Sequence, residues 1–158
     1  MQNEKTKLSL REATPDDEPF LLEVYASTRW DELEGMGLND DQKNAFIRMQ
    51  FVARERCYPR VDNRIILFAG RPVGRLQVDR GDDAILLRDI EILTEFRNMR
   101  LGTRLIQDLM QEAAAAGKPI GLHVLASSPA VRLYERLGFR QTGGDAAYLE
   151  MKWVPATS

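Results

Sequence analysis

The sequence is poor in the residues that disulfides and transition metals need: it has one cysteine and one histidine. A lone Cys57 closes no internal disulfide, which suits a reducing compartment. One histidine and one cysteine build no His/Cys metal cluster, so no metal is expected. Charge of one sign is also lacking. The 22 basic and 24 acidic residues leave a formal net charge of -2, too little to create a field for nucleic acid or an anionic membrane. No apolar run approaches the roughly 20 residues that cross a bilayer. The polar opening MQNEKTK lacks the apolar stretch of a secretory signal. By absence of signals, the expectation is a cytoplasmic protein with no membrane and no nucleic-acid partner.

What is present suffices for a folded domain. Of 158 residues, 44% are hydrophobic and 29% charged, enough to bury a core. With no repeat, low-complexity block or long linker, residues 1–158 are expected to form one domain.

The pattern of elements is readable along the chain. Leu8–Arg11 reads as a strand, and Thr14-Pro15-Asp16-Asp17 as a helix start, with a cap, an early proline and acids at the positive end. Phe20, Leu21, Val24 and Tyr25 follow at helical spacing, and Ser27–Leu38 reads as a loop or broken helix. Asn39-Asp40 can cap a second helix, with Phe46, Met49, Val52 and Ala53 as its apolar stripe and Arg54, Arg56 and Arg60 as a solvated face. Strands are expected at Arg64–Ala69, Val73–Asp79 and Ala84–Leu93. A third helix starts near Leu101-Gly102 and ends at Gly117; Ile120–Leu125 is a buried strand. Ser128-Pro129 opens a fourth helix that Gly138 ends. Phe139–Thr142 and Ala147–Trp153 form a hairpin around Gly143-Gly144-Asp145. The order β-α-α-β-β-β-α-β-α-β-β defines an α/β protein with a mixed sheet and helices on both faces.

The stretch Ile90-Glu91-Ile92-Leu93-Thr94-Glu95-Phe96-Arg97-Asn98-Met99-Arg100-Leu101-Gly102-Thr103 is a strand, a basic loop and a helix N-terminus. Such a junction leaves backbone N–H groups unpaired at the positive end of a helix dipole. Arg97, Arg100 and Arg104 add charge, and Gly102 lets backbone come close to a bound group. The residues alone admit two readings: a phosphate or pyrophosphate site, or a surface loop with a capped helix. Neither a Walker A loop nor the G-x-G-x-x-G dinucleotide fingerprint is present.

This stretch resembles the acyl-CoA motif of the GNAT superfamily of N-acetyltransferases, Q/R-x-x-G-x-G/A. Arg97 matches the first position and Gly102 the last, while Arg100 replaces the middle glycine. Ser128-Pro129-Ala130-Val131-Arg132-Leu133-Tyr134-Glu135-Arg136-Leu137-Gly138-Phe139 resembles the family's N-x-P-A-x-x-L-Y-x-x-x-G-F segment, with Ser127 where the family usually has asparagine. The element order agrees, so the resemblance covers nearly the whole chain.

The resemblance implies a GNAT-like fold whose sheet splays between strands 4 and 5, with acetyl-CoA as co-substrate. It implies transfer of the acetyl group to a primary amine by direct attack in a ternary complex. Carried over, Ile90 and Ile92 lie on the splayed strand, and the Ile92 N–H donates to the thioester carbonyl, stabilising a tetrahedral oxyanion. The N–H groups of Asn98, Met99, Arg100, Leu101, Gly102 and Thr103 cradle the pyrophosphate beside Arg97, and Ser127 bonds the cofactor's linker. Tyr134 matches the general acid that protonates the thiolate; the alternative is a core tyrosine. Alternation puts Asp89 and Glu91 on one face of their strand, and Glu91, nearer the expected thioester, ranks first as base, with Asp89 second and Glu32 third. Asp89 has a structural alternative as a buried acid. His123 is a candidate relay or a satisfied sheet histidine. Trp30, Asp31, Glu32 and Glu34 form an aromatic–acidic cluster suited to a cationic amine, or a solvated loop around one buried Trp; Met49, Phe51 and Arg54 are candidates to line the same cleft. The acceptor is expected to be a small-molecule or peptide amine, and homodimers are common in the family. A rival reading keeps the fold as an acyl-CoA-binding sensor without catalysis. Arg100 and Ser127 keep it open, and Tyr134 with Glu91 argues against it. A second rival is a nucleotide- or phosphate-binding protein of another fold, against which the Tyr134…Gly138-Phe139 block speaks.

Overall fold

The computed structural model describes residues 7–30, 33–57 and 62–156. In chain order these are β1 (Leu8–Glu12), α1 (Glu18–Arg29), α2 (Asp40–Cys57), β2 (Asp62–Phe68), β3 (Arg71–Arg80), β4 (Ile85–Ile92), α3 (Leu101–Ala116), β5 (Ile120–Leu125), α4 (Ala130–Arg136), β6 (Arg140–Gly144) and β7 (Tyr148–Trp153). The seven strands form one mixed sheet in the order β1-β2-β3-β4-β5-β7-β6. The expected order of elements is the observed one. By internal contacts the chain divides into two compact units, Met1–Gln77 with Asp89–Met99, and Val78–Arg88 with Arg100–Ser158.

In the first unit, β1 pairs antiparallel with β2 from Leu8↔Phe68 to Glu12↔Arg64. A 3-10 turn at Pro15–Asp17 leads into α1. Thr14 N–H donates to Asp17 Oδ2 at 2.8 Å, and Arg11 holds the same carboxylate through both oxygens at 2.7 and 2.8 Å. The Arg11 guanidinium, with help from the Thr14 N–H, lowers the Asp17 carboxyl to about 2. Helix α1 runs on to Arg29, past the break expected at Ser27. Ser27 Oγ and Thr28 Oγ1 donate back to the carbonyls of Val24 and Tyr25, both at 2.8 Å, which keeps two turn-forming residues helical.

Helix α2 opens on a reciprocal cap. Asn39 Oδ1 accepts from Gln42 N–H at 2.8 Å and Gln42 Oε1 accepts from Asn39 N–H at 2.9 Å. Its buried stripe differs from the expected one. Ile47 and Phe51 face the core with Leu21, Tyr25, Leu33 and Ile65, while Met49 and Val52 are exposed. Packing of α1 against α2 selects the i, i+4 row through Ile47 and Phe51, leaves Met49, Val52 and Ala53 in solvent, and keeps Phe46 half-buried against the cluster. Each fully buried aliphatic or aromatic side chain of this cluster contributes about 1.5–3 kcal/mol. Arg75 of β3 is wholly buried among them, held by Glu55 and, at 3.0 Å, by Asn63 Oδ1.

In the second unit, Leu101, Leu105, Ile106, Leu109 and Ala113 form the buried face of α3, and Gly117 ends it with φ 68°. The parallel β4–β5 ladder runs from Ile85↔Ile120 to Leu87↔Leu122. Antiparallel β5–β7 pairing runs from Ile120↔Trp153 to Leu125↔Tyr148. Strand β6 continues through Gly143 and Gly144, expected as turn residues, with a register shift between Gln141 and Gly143. The turn itself is made by Asp145, whose Oδ1 accepts from the N–H groups of Ala147 and Tyr148 at 2.8 and 2.9 Å. Among the described residues no helix is long and apolar enough to cross a membrane.

Candidate functional site

Strand β4 projects Asp89 and Glu91 from one face. Glu91 is 5% exposed. Two guanidinium groups meet the pair. Arg54 of α2 places Nη2 3.1 Å from Asp89 Oδ2 and Nη1 3.6 Å from Glu91 Oε1. Arg29, the last residue of α1, places Nη2 3.9 Å from Glu91 Oε1. The Tyr25 ring lies against both cations, at 4.5 Å from Arg29 and 6.0 Å from Arg54. Asp89 Oδ2 and both Glu91 oxygens are shielded from solvent. Burial pushes the Glu91 carboxyl well above the usual carboxylate range, the neighbouring Asp89 raises it further, and Arg29 and Arg54 oppose the rise. The arrangement favours the protonated form of the Glu91 carboxyl.

Arg54 was expected on a solvated face or lining an acceptor cleft. It lies on the same helical row as Ile47 and Phe51, and that row carries it to β4. Arg29 follows Leu21 and Tyr25 at i+4 intervals in the same way. This spacing was the available signal for both arginines.

The backbone of β4 is set by its neighbour β3. Leu93 N–H donates to the Val73 carbonyl at 2.8 Å, and strand alternation turns the N–H and C=O of Ile92 to the opposite edge. Arg97 Nε donates to the Ile92 carbonyl at 3.0 Å. Gly74 permits the β3–β4 approach, since a Cβ there would fall on the Glu91 carbonyl oxygen. The expected basic loop is a 3-10 segment, Thr94–Met99.

Helix α3 begins after Arg100, which has φ 59° and ψ 24°. This is the left-handed conformation that glycine adopts without steric strain, and arginine holds it here. The first helical bond is Arg104 N–H to Arg100 O at 3.2 Å. The N–H groups of Leu101, Gly102 and Thr103 therefore precede the helical ladder, and the first turn carries no acid. Arg104 Nη1 and Nη2 are shielded from solvent and have no hydrogen-bond partner among the described residues. An orphaned guanidinium on the first turn of a helix fits a phosphate-bearing ligand.

Tyr134 is 6% exposed, its ring tilted against Phe139 at 5.6 Å. Ser127 is exposed in the turn before α4, and the adjacent Ser128 hydroxyl accepts from Ala130 N–H at 3.1 Å. His123 lies in an exposed cross-strand pair with Glu150, Nε2 to Oε1 3.2 Å. Trp30 is half-buried with Lys43 Nζ 5.0 Å from its ring centroid, and Lys43 also bonds Glu34 at 2.9 Å. Trp30 and Glu34, two residues of the cluster expected to suit a foreign amine, thus meet the chain's own Lys43 ammonium. Asp31 and Glu32 lie outside the described residues, as do Pro59 and Arg60.

Several solved structures share this fold. A PaiA N-acetyltransferase from Thermoplasma acidophilum, in complex with coenzyme A, is 14% identical with TM-score 0.69, covering 93% of this chain and 98% of its own. The ribosomal-protein-S18-alanine N-acetyltransferase from Escherichia coli is 18% identical with TM-score 0.64, covering 96% of each chain. A histone acetyltransferase HPA2 and related acetyltransferase from Corynebacterium glutamicum is 18% identical with TM-score 0.70, covering 96% and 98%. No curated protein matches in sequence. Fold and sequence match together define an acyltransferase. Residues 50–141, more than half of the chain, match the model described as "Acetyltransferase (GNAT) domain", and the chain belongs to that family.

Proposed function

We propose that the protein transfers the acetyl group of acetyl-CoA to a primary amine by direct attack, with both substrates bound to one catalytic domain formed by the whole chain. The observation that carries this is the buried Glu91 carboxyl, raised by burial and by Asp89. A group so poised accepts a proton from an ammonium that must become a nucleophile. Acetyl-CoA supplies an activated thioester.

Glu91 takes the amine's proton through a water, with Asp89 beside it. The Ile92 N–H, turned away from β3, holds the thioester oxygen. The C–N bond forms to give a tetrahedral adduct; as its C–S bond breaks, Tyr134 gives its hydroxyl proton to the sulfur and the nitrogen's second proton restores the tyrosine. Ile90 aligns the pantetheine arm, and Ser127 bonds the cofactor's linker. Backbone N–H groups from Asn98 to Thr103 hold the diphosphate, with Arg97 and Arg104 supplying charge. The left-handed Arg100 supports acyl-CoA binding at this loop, because the loop keeps a glycine-like turn. Trp30 and His123 are assigned to the acceptor side, and the acceptor is a small-molecule or peptide amine.

The test is release of CoA thiol from acetyl-CoA across a panel of polyamines, aminoglycosides, amino acids and peptides with free termini or lysines. At least one amine should release CoA in equal amount to N-acetyl product. Acetyl-CoA binding with no release for any amine would contradict the proposal and leave a binding module.

A further inference from the structure

Two carboxyls that share a buried site cannot both ionise freely, and their surroundings decide which one carries the proton. Here the deciding contacts are unequal. Arg54 approaches Asp89 at 3.1 Å and Glu91 at 3.6 Å. Arg29 approaches Glu91 at 3.9 Å. Asp89 has the shorter contact to a cation and is the more exposed of the two side chains, 12% against 5%.

Taking Glu91 as the base proposed above, we infer that Arg54 is a positioning residue that divides the two carboxyls, holding Asp89 as the anion and leaving Glu91 as the proton carrier. Its fork spans both acids from α2, so it fixes their relative orientation as well as their charge. Its placement follows from packing. Ile47 and Phe51 anchor the helical row on which Arg54 lies, and the Tyr25 ring lies 6.0 Å from its guanidinium. Among the described residues, Arg29 from α1, Arg54 from α2 and Asp89 from β4 itself act on Glu91, and the Tyr25 ring lies against both arginines. Strand β3 brings the buried guanidinium of Arg75, which Glu55 and Asn63 hold, and Gly74 lies against the Glu91 backbone.

The sign of the effect is fixed. Removing the Arg54 charge favours the protonated form of both acids, so the pair holds its proton to higher pH.

The test combines carboxyl carbon NMR titration of Asp89 and Glu91 in the ligand-free protein with the pH dependence of kcat/KM. Arg54→Gln should move the Glu91 titration up by about one pH unit or more, and the rising limb of kcat/KM should move with it. Arg29→Gln, with its longer contact, should move both less. Arg54→Lys should restore most of the titration but only part of kcat, because it keeps the charge and loses the fork. An unmoved Glu91 titration in Arg54→Gln overturns the inference whatever the rates do. A moved titration with an unmoved rate profile instead overturns Glu91 as the base, leaving the electrostatic assignment intact. If Arg54→Gln does not fold, Asp89→Asn serves. It should bring Glu91 down towards the usual carboxylate range, and an unmoved Glu91 there overturns the inference equally.

Discussion

Arg54 Nη2 lies 3.1 Å from Asp89 Oδ2, joining a residue of the second helix to the strand that leads into the loop of the acyl-CoA motif. Through this contact the α1–α2 core and the candidate base depend on one another. The chemistry proposed for Glu91 is then a property of how α1 and α2 pack, and the following outcomes are expected.

Glu91→Gln should lower acetyl transfer by at least about 100-fold, the usual scale for a general base, and should remove the rising limb of the pH profile. Stability should respond in the other direction. The folded Glu91 carboxyl is raised above its unfolded value, so its contribution is fully present below the unfolded value and is lost as pH rises through the folded one. The wild type should therefore weaken relative to Glu91→Gln as pH rises above the ordinary glutamate range, as read from urea midpoints. A gap that does not widen with pH would contradict the burial argument.

Tyr134→Phe keeps the ring that packs on Phe139. Stability should stay within about 1 kcal/mol, the net worth of a typical hydrogen bond. Turnover should fall by about 100-fold or more while acetyl-CoA affinity holds. Equal loss in kcat and in affinity would contradict the role as acid.

The motif residues were legible in the sequence because strand, loop and helix start are contiguous. Helix α3 begins at the expected Leu101, and Gly117 ends it as anticipated. Asp89 and Glu91 were legible for the same local reason, as strand alternation puts them on one face. Their counter-ions were not. Finding Arg54 required the correct row of α2, and Phe46, Met49, Val52 and Ala53 looked as apolar as the row through Ile47 and Phe51. Lys43 over Trp30 is likewise a tertiary contact, formed where the α1–α2 connection meets α2. Only the packing of α1 on α2 separates these alternatives, and that packing has no local signature.

Arg100→Gly should stabilise the protein by up to about 1 kcal/mol. A left-handed non-glycine residue costs roughly 1–2 kcal/mol, offset in part by the extra freedom glycine loses on folding. Arg100→Val should destabilise, since a branched side chain at φ 59° is strained further. Denaturant midpoints of the two variants on either side of the wild type would bear this out; both falling below it would contradict the strain argument.

Gly74→Ala should destabilise by about 1–3 kcal/mol, the usual range for overpacking, because its Cβ would fall on the Glu91 carbonyl oxygen. Acetyl transfer should fall as well, since β4 must shift to admit the methyl. A fully active, fully stable Gly74→Ala would mean that the β3–β4 approach does not position Glu91.

At the acid end, Asp17 contributes stability that is present above its unfolded value and lost as pH falls towards about 2. Asp17→Asn should remove that part of the acid-unfolding slope and leave the neutral-pH activity profile in place.

The most direct test of the central claim is isothermal titration of the protein with acetyl-CoA, CoA and ATP in parallel. Saturable binding of both CoA species, no binding of ATP, and loss of CoA binding in Gly102→Glu are the predicted results. No binding of either CoA species by the folded wild type would contradict the claim that the start of α3 holds acyl-CoA for transfer.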